Sequence, residues 1–369
     1  MKRINIALFS LMLLGLLFSC SKASLNYTQD GNWVSRAVFS GVPMGYGASF
    51  TVGDYAYVGT GYNPITPNTR LTTLFRYTPG KIPAGATGYD SAYGGWKQMA
   101  DFMGSGRSNA VGFSVGNYGY IGSGTHDGIN PLSDFYKYDP SSDSWSQIDS
   151  LGTSAKRYPR FDAVAFSFDN EAYVLTGTDN SLTFGDVWKY DPSTNSWTQR
   201  VNMPGSQRSQ ALTWVYNKKG YLVTGYTTGS QWAIGNACYD FWRFDPTLSD
   251  DQAWTRLRDI YNTNASTYDD SYTNIIRYHA AGFVITGTTS GDKGYITTGS
   301  NGTLYTYTWE YDFATDLWKE KTPYEGASRQ GAVGLTVQNR GFIATGLSGS
   351  AGYSDAREFF PNQVYNQYD

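Results

Sequence analysis

One unit is written six times along the 369 residues, and no other property of the chain restricts its fold as much. Its first landmark is a strand ending in Thr/Ser-Gly: Tyr57-Val-Gly-Thr-Gly61, Tyr120-Ile-Gly-Ser-Gly124, Tyr173-Val-Leu-Thr-Gly177, Tyr221-Leu-Val-Thr-Gly225, Tyr295-Ile-Thr-Thr-Gly299 and Phe342-Ile-Ala-Thr-Gly346. The second is an aromatic strand running into a turn, as in Asp134-Phe-Tyr-Lys-Tyr-Asp-Pro140, Asp186-Val-Trp-Lys-Tyr-Asp-Pro192 and Asp240-Phe-Trp-Arg-Phe-Asp-Pro246, with weaker copies near Leu74, Trp309 and Glu358. The third is a Trp, at 96, 145, 197, 254 and 318. Pro lacks the donor a sheet ladder needs and Asp favours turns, so the Asp-Pro pair ends its strand. Glycine after the first landmark permits positive φ or close approach of another backbone. Each unit therefore holds four short strands: a small apolar strand a, the Tyr-to-Gly strand b, the aromatic strand c and the Trp-bearing strand d. A period of roughly 50–60 residues with four strands is that of a propeller blade.

The sixth unit stops at Asp369 without its Trp strand. The missing piece lies at the other end, where Asn32-Trp33-Val-Ser-Arg-Ala-Val-Phe39 lines up with Ser196-Trp197-Thr-Gln-Arg-Val-Asn-Met203. The N-terminal segment is predicted to supply strand d of the last blade, closing the ring and removing an exposed sheet edge. Length alone argues for two domains, but six repeats sharing one architecture remove that expectation. The 42 Gly, 31 Tyr and 40% hydrophobic content fit many strands and turns around a real core and exclude wholesale disorder. A net charge of −3 provides no basic footprint for nucleic acid.

These landmarks resemble the kelch repeat over essentially all of residues 33–361. The chain departs from that pattern in ending strand b with Thr/Ser-Gly rather than a Gly pair, and in the degenerate strand c of blades 1, 5 and 6. The resemblance implies an all-β, six-bladed kelch β-propeller with four antiparallel strands per blade. It implies little about function, because kelch propellers include both enzymes and binding scaffolds. The expected organisation is a signal peptide over 1–19, a lipidated linker over 20–31 and the propeller over 32–369.

Thirteen residues before the strand-b aromatic stand Met44, Arg107, Arg160, Arg208 and Arg329; in blade 5, whose a–b hairpin is longer, Arg277 takes the place. By resemblance this sets a ring of guanidinium groups at one mouth of the central channel, where their fixed forks of donors suit carboxylates, phosphates or sugar hydroxyls. The competing reading has each Arg tying loop carbonyls and neighbouring blades together. Two residues further on come Tyr46, Asn109, Asp162, Gln210, His279 and Gly331, a more varied set near the same mouth. The same resemblance implies that two long loops, 259–274 and 226–239, open on that face, and extra loop length on a rigid scaffold is where binding residues collect. Trp232, Tyr261, Tyr268 and Tyr272 in them are candidates for stacking on sugar rings or peptide side chains. The ligand-binding set is thus the five arginines, His279 and these four aromatics.

No catalytic or metal constellation stands out. Tyr278-His279 and Cys238 resemble parts of the copper site of galactose-oxidase-type kelch propellers. There the second His comes from a domain beyond the propeller, and this chain has only His126, in blade 2, to replace it. Sialic acid mutarotases, also six-bladed kelch proteins, are the closer enzymatic parallel, since ring opening needs an acid–base group near a carboxylate-binding Arg, which the ring of arginines would supply. The favoured expectation is a monomeric binding scaffold for a glycan or protein, with no cofactor or metal; the alternative is a sugar mutarotase or epimerase or, ranked below it, a galactose-oxidase-like copper oxidase.

The cellular address is read from the N-terminus. Lys2-Arg3 precedes an apolar run from Ile4 to Phe18, too short to span a bilayer comfortably but suited to a secretory signal. Leu17-Phe18-Ser19-Cys20 resembles the bacterial lipobox, so Cys20 is the expected lipidation site and the lipid the expected membrane contact. Ser21 after it, by resemblance to sorted lipoproteins, favours the outer membrane of a bacterial envelope. With Cys20 acylated only Cys238 is left, and no intramolecular disulfide forms. Metabolic labelling with a radioactive fatty acid is expected to mark the wild-type protein and to be lost in Cys20→Ala; undiminished labelling of the variant rules the anchor out.

Overall fold

The computed structural model describes residues 30–66, 69–81, 93–261, 272 and 274–368, and contains no α-helix among them. Cys20, the leader and Tyr268 lie outside the described residues. Six four-stranded antiparallel sheets form the blades. In chain order from strand a to d, blade 1 is Ala48–Val52, Tyr55–Gly59, Leu74–Thr78 and Gly95–Met99, and blade 2 is Val111–Val115, Tyr118–Gly122, Phe135–Asp139 and Ser144–Ile148. Blade 3 is Val164–Ser167, Ala172–Leu175, Val187–Asp191 and Ser196–Arg200; blade 4 is Leu212–Tyr216, Lys219–Val223, Trp242–Phe244 and Trp254–Arg256. Blade 5 is Ala281–Thr288, Gly291–Thr297, Thr308–Asp312 and Leu317–Lys321. Blade 6 joins Val333–Val337, Arg340–Ala344 and Ala356–Val364 to the N-terminal strand Asp30–Arg36, the predicted closure. Each strand a touches the strand a of both neighbouring blades, and blade 6 touches blade 1.

The Trp of strand d pairs across the ladder with a strand-c aromatic in every blade. The pairs are Tyr77/Trp96, Tyr138/Trp145, Tyr190/Trp197, Phe244/Trp254, Tyr311/Trp318 and, across the closure, Phe359/Trp33. Their ring centroids lie 4.7–5.0 Å apart, within the range of favourable aromatic contacts. Blades also lock face to face. A Cβ placed on Gly119 of strand b would lie 1.9 Å from the Phe50 ring of the preceding blade, and one on Gly341 would lie 2.1 Å from Phe283. Only glycine admits those rings at such separations.

Two circles of backbone hydrogen bonds close around the centre. In the first, the amide of each residue at the start of strand a donates to its counterpart in the preceding blade: Asn109 to Tyr46 (2.9 Å), Asp162 to Asn109 (2.9 Å), Gln210 to Asp162 (3.0 Å), His279 to Gln210 (3.1 Å), Gly331 to His279 (3.1 Å) and Tyr46 to Gly331 (2.8 Å). In the second, the Gly after strand b donates to the following blade, from Gly61 to the Arg107 carbonyl (2.7 Å) around to Gly346 and the Met44 carbonyl (2.8 Å). The bent geometry needed for both is left-handed. Thr60, Ser123, Thr176, Thr224, Thr298 and Thr345 have φ of 52–62° and each precedes a glycine that is also at positive φ. A β-branched residue there costs about 1–3 kcal/mol.

Trp33 measures the value of closure. It is fully buried, packs edge-on to Phe283 and Tyr324, and donates from Nε1 to the Thr322 carbonyl at 3.2 Å. Trp33→Ala is expected to cost about 3–5 kcal/mol in denaturant unfolding; a loss below about 1 kcal/mol would mean that the terminal strand does not hold the ring.

Candidate functional site

The first circle of hydrogen bonds fixes what faces the channel. Tyr46, Asn109, Asp162, Gln210 and His279 all take φ of 51–57°, with Gly331 at 62°, and this turns them around one mouth. Together with small residues at the start of strand a, they line a cavity of about 120 Å³. Below it the channel continues between the strands a of all six blades as a space of about 240 Å³ walled chiefly by Gly, Ala, Ser, Thr and Val.

Asp162 is the centre of the mouth's polar network. Its Oδ1 accepts a hydrogen bond from Asn109 Nδ2 at 2.7 Å and lies 3.1 Å from His279 Nε2. An ionised carboxylate only accepts, so Nε2 carries the proton in this contact. The pair joins blade 3 to blade 5, with side chains 7% and 16% exposed: sheltered, yet open to the cavity. The Tyr46 ring packs edge-on at 4.7 Å from the imidazole. Desolvation, reinforced by the Asp162 charge, pushes the Tyr46 hydroxyl up to about 12, so it remains a protonated donor at physiological pH. Gln210 completes the lining with a side-chain amide that has no partner among the described residues.

The arginines do not share this surface. Arg107, Arg160, Arg208, Arg277 and Arg329 are 0–1% exposed, and none lines the mouth cavity. Each Nη1 donates to the carbonyl of the left-handed Ser/Thr in its own blade, at 2.8–3.0 Å: Ser123, Thr176, Thr224, Thr298 and Thr345. Four also meet the Asp at the head of strand c: Arg107–Asp134 at 2.8 Å, Arg160–Asp186 at 2.6 Å, Arg208–Asp240 at 2.5 Å and Arg329–Asp355 at 2.6 Å. Arg277 has no Asp opposite and donates instead to the Tyr307 carbonyl at 2.9 Å; full desolvation pulls its pKa down to about 9. The expected donor ring at the mouth is thereby corrected to a set of internal braces. Carbonyls and carboxylates already occupy these guanidinium groups, and the side chains run into the blades.

Of the expected aromatics, Tyr272 is also reassigned. It is buried in the core beside blades 4 and 5, and its hydroxyl accepts from the Trp318 amide at 3.1 Å. Trp232, half-buried, precedes the small hairpin Ala233–Ile234/Ala237–Cys238, with the Arg256 guanidinium 5.4 Å from its ring. Tyr261, half-buried, lies 6.3 Å from Tyr239. Cys238 is buried, and desolvation raises its thiol to about 11, which leaves it unreactive. Among the described residues, the one expected site residue that lines the cavity is His279. Its partnership with Asp162, 117 residues away, has no local signal; the equal offset of the two in their repeats is what carries it.

The family model for the Kelch motif matches residues 159–204, the stretch that carries Arg160, Asp186 and Trp197 of blade 3. An F-box/kelch-repeat protein of Arabidopsis thaliana is 36% identical over 76 residues, 21% of this chain and 16% of that protein. The chain is a six-bladed propeller that carries a Kelch motif in blade 3. Part of it is also similar to the N-acetylneuraminate epimerase of Vibrio cholerae, at 33% identity over 120 residues, 31% of the propeller chain and 29% of the epimerase. Both matches thus span less than a third of the relative's length. Among solved structures, that of YjhT superposes with a TM-score of 0.62 over 88% of this chain and 96% of its own, at 16% identity, a likeness of fold.

The brace reading is testable in blade 3. Arg160→Met leaves Asp186 buried without its cation and is expected to cost about 3–5 kcal/mol in denaturant unfolding. Arg160→Met/Asp186→Leu is expected to regain at least half of that. A single variant as stable as wild type would return the arginine to the list of ligand-binding candidates.

Proposed function

We propose that the propeller binds a reducing sugar at the channel mouth and interconverts its anomers. The observation that carries this reading is the Asp162–His279 pair: two groups able to move protons, held 3.1 Å apart across the ring and bordering a cavity. The partial similarity to an N-acetylneuraminate epimerase supports it. Ring opening needs a base for the anomeric hydroxyl and an acid for the ring oxygen. Asp162 Oδ2, free of the bonds that Oδ1 accepts, is placed to take the hydroxyl proton. The imidazolium form of His279 has a second N–H, on Nδ1, to give to the ring oxygen. The C1–O bond of the ring breaks, the freed carbonyl rotates, and closure on its other face returns both protons. Nothing is oxidised or reduced.

A second reading is a non-catalytic glycan- or protein-binding scaffold, favoured by the half-exposed Trp232 and Tyr261 in the long loops. In either case the leader and Cys20 support the proposal of a lipid-anchored protein of the bacterial envelope.

Exchange NMR with the mature chain separates the two. Acceleration of α/β interconversion over buffer is expected in wild type, reduced by about 10²-fold in Asp162→Asn, in line with loss of one acid–base group. Sugar binding without any acceleration would leave the scaffold reading.

A further inference from the structure

From the charge of the mouth we infer that the ligand is an uncharged sugar, and that sugars bearing a carboxylate, such as N-acetylneuraminate, are excluded. This deepens the preceding reading and rests on it. A bound carboxylate needs a cation or several free N–H donors to replace its hydration. Among the described residues, the mouth has no cation beyond the His279 that Asp162 already engages, and its free N–H donors are confined to the Asn109 and Gln210 side-chain amides. The five arginines of the repeat are enclosed in the blades, with carbonyls and carboxylates as partners. The six backbone amides at the rim, from Tyr46 to Gly331, are all used in closing the circle.

What remains is one carboxylate and neutral polar groups. Among the described residues that line the cavity, Asp162 is the sole acidic one, and none is Lys or Arg. The only group there able to become cationic, His279, already faces Asp162, so a second anion would compete for that proton and meet the first charge at short range. Asn109, Gln210 and Tyr46 offer amide and hydroxyl groups instead, the complement of sugar hydroxyls. At about 120 Å³ the cavity corresponds to about four waters' share of liquid volume. That suits the polar edge of one sugar ring rather than a long chain, and the Tyr46 face adds an apolar wall for its C–H side.

The test compares galactose, N-acetylglucosamine and N-acetylneuraminate by anomer-exchange NMR and by saturation transfer from the mature protein. At least one neutral sugar is expected to show both effects, and N-acetylneuraminate neither. Catalysis or contact with N-acetylneuraminate equal to that with the neutral sugars overturns the exclusion while leaving the ring-opening reading intact. Contact with neutral sugars alone, without acceleration, upholds the exclusion and removes the catalytic reading. No contact with any of the three overturns both. Gln210→Arg places a free cation at the rim and is expected to raise N-acetylneuraminate binding at least ~10-fold; an unchanged affinity in a folded variant would overturn the electrostatic basis.

Discussion

Everything at the centre of this molecule depends on six peptide amides donating around a closed circle, each to the carbonyl of the preceding blade. A single such bond is worth little net, but here the donors and acceptors sit where water would otherwise reach unpaired backbone. The circle requires a left-handed residue at each of its six positions, and that conformation sets how the side chains stand around the rim. Scaffold and site are therefore one feature. The backbone repeats while the side chain varies, and the variation puts a carboxylate in blade 3 and an imidazole in blade 5.

The buried arginines stabilise the same geometry from behind. A threonine in left-handed conformation is strained, and the Nη1–carbonyl bond holds that residue in five blades. This accounts for the departure from a Gly pair at the end of strand b: with a guanidinium on its carbonyl, the first position tolerates a side chain. Blade 1 has Met44 in place of the arginine, and Thr60 there accepts a bond from the Ala48 amide at 3.4 Å through its hydroxyl instead. Blade 5 keeps the arginine but lacks the Asp, and Arg277 is the member whose pKa falls.

Blade number, strand order and the closure by residues near Trp33 were legible because each depends on periodicity, which a repeated unit displays directly. Even the c–d register follows from matching Trp33 to Trp197. The orientation of Arg160 was not legible: a fixed offset locates a Cα but not the direction of a long, flexible side chain. The clue lay in the second landmark, where Asp134, Asp186 and Asp240 head strand c as ready partners. Two residues of shift separate the braces from the mouth, a difference that only the left-handed turn resolves. Tyr272 was misplaced for another reason. A polar insertion reads as surface, but its far end tucks one ring against Trp309 and Trp318.

The hydrogen bond between Asn32 and Gln363 spans 331 positions of sequence. The N-terminal strand thus cannot find its partner until all six repeats have been synthesised. Until that pairing forms, blade 6 presents a bare edge and an unfilled slot for the Trp33 indole, and contacts of such sequence separation slow folding. The strand Ala356–Val364 is thereby a checkpoint on the integrity of the whole ring.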